Sequence, residues 1–95
     1  MDQRRTAVFD QVAAVWRDAR ATARPEALEL EGILAPAFAE RLDDLDPGAV
    51  GTVLLTVSAF MVFALGEMDP AAARPLGIWS DALGLLGARL YSRDA

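Results

Sequence analysis

Histidine, cysteine, lysine and asparagine are all missing from the 95 residues. Without histidine, no unperturbed side chain changes charge near neutral pH. Without cysteine there is no disulfide, no thiol nucleophile and no thiolate ligand, and without lysine there is no Schiff-base chemistry. Zinc sites made from Cys or His are excluded on the same count. Basic surface is scarce as well: 9 arginines stand against 14 acids, for a net charge of −5. The basic residues gather only in the stripe Arg17, Arg20 and Arg24. Binding to a phosphate backbone needs far more positive surface than that, so no nucleic-acid partner is expected.

What the chain does contain is helix-forming. Ala occurs 19 times and Leu 13 times, while β-branched residues are few and fall mostly between Val50 and Val62. No stretch alternates as a strand does, and no Gly-rich hairpin signal occurs. The length suits one domain over residues 1–95. The expected fold is all-α: a compact bundle of four to five helices with a very hydrophobic central third helix, assembled as a dimer.

Residues 2–23 read as one amphipathic helix, with Val8, Val12, Val15 and Ala19 at spacings of four and three, and Phe9 and Trp16 beside them. Pro25 ends it and opens the next. Residues 26–45 carry a stripe at Leu30, Leu34, Phe38, Leu42 and Leu45, with Pro36 inside it. A proline there lacks the N–H that would bond to residue 32, so a break near Ala35 is expected. Asp46-Pro47 is an N-cap acid before a first-turn proline and starts a third helix reaching about residue 68. Asp69-Pro70 repeats the punctuation. Pro75 follows so soon that a short turn over 70–73 and a final helix over 75–92 are expected.

Charge divides unevenly between these segments. Residues 1–25 are net +2 and residues 26–46 net −6. The first helix can therefore meet the second, although the bland expectation is two solvated faces whose ion pairs contribute little.

The stretch 47–66 has no charge over 20 residues, long enough to span a bilayer. Against a span, about half of it is small or weakly polar, acids flank both ends, and neither Trp nor Tyr marks an interface. Burial by its own chain and a partner chain is the expectation, with the membrane a second possibility. Arg4-Arg5 precedes an apolar run that Asp10, Arg17 and Asp18 interrupt, which does not suit an export signal. The cytoplasm is the expected location.

Chemistry finds little purchase. Ser58, Ser80 and Ser92 have no His or Lys to act as base, and none stands in the Asp-Ser-Leu-like motif on which carrier proteins hold their prosthetic arm. Glu40, Asp43 and Asp44 lie close together, but at the end of a helix and beside the start of another, where acids serve capping. Calcium-loop spacing is absent, as are P-loop and dinucleotide signatures. No catalytic residue, metal or cofactor is expected.

Assembly is the feature that remains. Leu76, Trp79, Leu83, Leu86 and Leu90 follow a heptad along the last helix and form the expected oligomer seam. The third helix has large apolar side chains on several sides, more than three neighbours in so short a chain can cover. The expected function is a small non-catalytic interaction module, an adaptor, scaffold or regulatory subunit, that partners itself or another protein. The alternative is an apolar small molecule held between the third and fourth helices near Phe60, Phe63 and Trp79.

Overall fold

A computed structural model describes residues 3–42 and 44–93. Four α-helices occupy nearly all of it: α1 (Gln3–Ala19), α2 (Pro25–Arg41), α3 (Pro47–Leu65) and α4 (Pro70–Arg93), with a 3-10 turn over Arg20–Thr22 after α1. No strand occurs among the described residues.

The proline punctuation works as the sequence indicates at three of the five prolines. Arg24 is extended (φ −61°, ψ 139°) and Pro25 takes the first turn of α2. Asp46 is extended too, and its carboxylate accepts a hydrogen bond from the Gly48 N–H at 3.1 Å, capping α3. At the start of α4, the Ala73 N–H donates to the Asp69 carbonyl at 2.9 Å. The other two prolines behave differently. Helix α2 runs unbroken through Pro36, and α4 begins at Pro70 and continues through Pro75, without a turn over 70–73. In each case the carbonyl deprived of its donor, on Gly32 or Ala71, belongs to an exposed residue and can be hydrated. The apolar stripe of α2 stays in phase across Pro36, so packing of Leu34 and Phe38 outweighs the local penalty.

The helix at the centre is α4, not α3: α1, α2 and α3 each pack against it. Small residues permit this. A Cβ on Gly51 of α3 would lie 2.4 Å from the Tyr91 nitrogen and 2.7 Å from the Gly87 carbonyl oxygen, so the two backbones approach as only glycine allows. A Cβ on Gly84 would fall 2.3 Å from the indole of Trp16. Further along the seam, the Ser58 hydroxyl donates to the Ser80 carbonyl at 2.8 Å and the Ser80 hydroxyl returns a bond to the Ser58 carbonyl at 3.2 Å. Both serines are fully buried.

On one side of this α3–α4 seam, Phe9, Val12 and Trp16 of α1 pack on Ala13, Leu55 and Ala88. On the other, Leu34, Phe38 and Leu42 cover Leu54, Leu86 and Leu90. Leu55, Leu85 and Leu86 are the largest apolar side chains enclosed completely, each worth about 1.5–3 kcal/mol of burial. The Cα radius of gyration, 13.3 Å, is near the roughly 12 Å of a compact chain this long.

Candidate functional site

Two features stand out: a buried charge cluster and a bare apolar face. The cluster centres on Glu31, whose carboxylate lies in the bundle at 2% exposure. Arg20 grips it with both guanidinium nitrogens, at 2.7 and 2.5 Å, and Arg89 donates to Oε1 from 3.2 Å. The guanidinium ends stay partly in water, at 36% and 49% exposure. The hydrogen bond to Glu31 raises the Arg20 pKa further, overcoming the desolvation that would lower it. The basic first segment thus meets the acidic second one inside the chain, through a buried carboxylate and not through two solvated faces.

Weaker polar ties surround the cluster. Arg24 reaches Asp81 at 3.4 Å, Arg17 bonds Ser92, and the Tyr91 hydroxyl donates to Asp10 at 2.6 Å. That last bond raises the Tyr91 pKa, with burial and the charge of Asp10 acting in the same direction. Every buried side-chain polar atom of the described residues has a partner, and no group of three or more metal-ligating side chains occurs among them. Of the three clustered acids, Asp43 lies outside the described residues, and Glu40 and Asp44 are exposed. The charge cluster borders neither of the two hollows described next, so it reads as a structural tie between α2, α4 and the 3-10 turn after α1.

The apolar face is the outward side of α3. The buried positions of this helix are Gly51, Leu54, Leu55 and Ser58, while Val53, Val57, Phe60, Val62 and Phe63 are exposed. Phe60 is 72% exposed and Phe63 85%. Leu54 and Leu55 thus face the core beside two small residues, Gly51 and Ser58, while most of the large apolar side chains of α3 stay in water, unlike a helix whose exposed side is polar. The hydroxyls on α3 are satisfied locally: Thr52 donates to the Gly48 carbonyl at 2.9 Å and Thr56 to Thr52 at 2.8 Å.

Two hollows border α3. One, of about 250 Å³, lies between α1 and α3, lined by Val8, Phe9, Val12, Leu55, Phe60 and Phe63 among others. The second, of about 310 Å³, is bounded by Phe38, Arg41, Leu42, Leu45 and Val50 at the far end of α2.

The residues singled out from the sequence are redistributed by this arrangement. The heptad of the last helix is split: Leu86 and Leu90 are buried under α2, Leu83 is half-buried, and only Leu76 and Trp79 are exposed. A seam formed by all five is not available at the surface, because α2 already covers its second half. Phe60 and Phe63 share a hollow, but with α1; Trp79 does not line it. Glu31 is not among those residues, although the sequence carries a signal for it. It follows Ala27 by four residues and precedes Leu34 and Ala35 by three and four, which puts a carboxylate on the inward face of α2. No known protein family, characterised protein or solved structure matches this chain.

Proposed function

We propose that this chain is a non-catalytic helical interaction module, a soluble cytoplasmic protein that homo-oligomerises through the outward face of α3. The observation that carries this is the pair Phe60 and Phe63, exposed on a helix without a single charge between Pro47 and Leu65. A phenylalanine presents roughly 150–250 Å², so these two rings alone leave on the order of 300 Å² of apolar surface in water. With Val8, Val53 and Val57 the patch approaches the upper end of what a lone soluble domain exposes, roughly 300–600 Å². Leu76 and Trp79 add apolar surface on α4, while Leu86 and Leu90 serve the core.

A second reading has one specific observation in its favour. Helix α3 is long and apolar enough to cross a membrane, only 22% of that stretch is buried, and its hydroxyls find acceptors within the protein. Lipid would then cover the face. The two readings separate on mass and solubility. In detergent-free buffer, light scattering is expected to give a soluble particle of at least twice 10.2 kDa. A soluble monomer across the accessible concentration range overturns the assembly reading. Recovery only in detergent replaces it with the membrane one.

A further inference from the structure

We infer that the hollow between α1 and α3 is a docking site for the Phe63 ring of a second copy of this chain, in a two-fold dimer that each copy closes reciprocally. The inference rests on the reading of the chain as a homo-oligomeric module and specifies its contact. A two-fold interface uses one patch twice, so the patch must carry both a projection and a recess that receives it. This one does. Phe63 is the most exposed large apolar side chain of the described residues, at 85%, and stands at the rim of a recess of about 250 Å³. A cavity of about 150 Å³ accepts a benzene, so there is space for one phenyl ring. The recess has no charged side chain, and its one hydroxyl, on Thr56, is already bonded to Thr52. It offers nothing to a polar ligand.

Area supports a copy as the occupant. The five large exposed side chains Val8, Val53, Val57, Phe60 and Phe63 contribute roughly 500 Å² per chain, and the exposed small residues Ala49, Ala59 and Ala64 extend the patch towards the roughly 800 Å² per partner of a standard interface. Charge argues against a lipid surface. Asp46 stands before α3, Glu67 and Asp69 after it, and no arginine lies within it, whereas anionic bilayers attract basic rims. Those acids do not oppose a second copy if the two-fold axis crosses α3 near Phe60. Residues seven positions apart from the axis then come level, setting Glu67 beside Val53 of the partner subunit and at the rim of the interface.

The test begins with sedimentation of the detergent-free chain and of Phe63→Glu, whose fold is checked by circular dichroism. Because Phe63 is exposed, the variant is expected to keep its helicity and to self-associate more weakly by at least roughly 30-fold. The control Ile33→Glu, on the exposed side of α2, should leave the dimer intact. Position is then tested by disulfide formation, which the absence of native cysteine makes unambiguous. Val8→Cys and Phe63→Cys, each a single variant, are mixed and oxidised, and a bond between the two can arise only between copies. With equal amounts, random pairing gives a mixed disulfide at twice the yield of each self-disulfide. A mixed yield well above that ratio supports the reciprocal fit, and one at or below it overturns the fit. A dimer that ignores Phe63→Glu, or that forms no mixed bond, overturns this inference and leaves homo-oligomerisation standing. A wild-type chain that is monomeric, or soluble only with detergent or lipid vesicles, overturns both.

Discussion

Removing either end of the Glu31 cluster should have very unequal effects, and the inequality follows from where the charges sit. The carboxylate is enclosed at 2% exposure, while the Arg20 and Arg89 guanidinium groups are 36% and 49% exposed. In Arg20→Met the carboxylate loses its two shortest bonds and keeps only Arg89, at 3.2 Å. Breaking a buried pair so that one charge is stranded costs about 3–5 kcal/mol. The surviving arginine and the partial solvation of this site reduce that to about 2–3 kcal/mol. In Glu31→Leu the order reverses: the buried charge disappears, an apolar side chain of similar size enters the core, and both arginines can turn into water. The expected cost is about 0–1 kcal/mol. At about 4–8 °C per kcal/mol for a domain of this size, Arg20→Met should lower the melting temperature by roughly 10–20 °C and Glu31→Leu by less than about 8 °C. Thermal unfolding followed by far-ultraviolet circular dichroism measures both. In the double variant most of the Arg20→Met penalty should vanish, because no charge is left stranded. A Glu31→Leu chain less stable than Arg20→Met would refute the reasoning and show that the ion pair itself, not relief of a buried charge, holds the helices together.

Two further outcomes follow from single residues. Gly51→Ala should destabilise the chain by about 3 kcal/mol or more, since the new Cβ meets backbone of Tyr91 and Gly87 that cannot step aside, whereas Gly32→Ala, with open space around it, should stabilise α2 by about 0.5–1 kcal/mol. Equal effects in thermal melts would mean the α3–α4 approach is looser than described. Tyr91 is the only tyrosine, so its phenolate absorbance titrates alone; the midpoint should lie above the ordinary value of about 10 and fall back in Asp10→Asn. Because the fold raises this pKa, the stability it contributes is complete below about pH 10 and is lost as pH climbs through the raised value. Identical midpoints in the two chains would show that the Tyr91–Asp10 bond does not persist in solution.

Helix positions were legible wherever local chemistry decides them. Asp46-Pro47, Asp69-Pro70 and Pro25 all start helices as the φ preference of proline favours, with a side-chain cap from Asp46 at α3. Pro36 and Pro75 are not legible in the same way, because their outcome depends on whether Gly32 and Ala71 face water, which is a tertiary fact. The heptad of α4 was a true apolar stripe, but periodicity cannot say whether such a stripe meets another helix of the same chain or of a different one. Here α2 takes Leu86 and Leu90. The excess of apolar surface on α3 was visible in the sequence. Its pairing with α1 was not, since that depends on the direction α1 takes over Gly84 and Tyr91.

Helix α4 holds α1, α2 and α3, and it is the last of the four in chain order. A nascent chain is therefore made in the reverse of the order in which it can be stabilised. When Leu65 is added, α3 is complete, yet the backbone carrying Gly87 and the carbonyl of Ser80 do not exist. Synthesis at about 5–20 residues per second leaves that apolar helix uncovered for on the order of seconds. The ties that close the structure then bridge long loops, Tyr91 to Asp10 across 81 positions and Arg89 to Glu31 across 58. Folding must wait for the C-terminal part of the domain, and any nascent copies close enough to touch during that wait meet with their α3 surfaces bare.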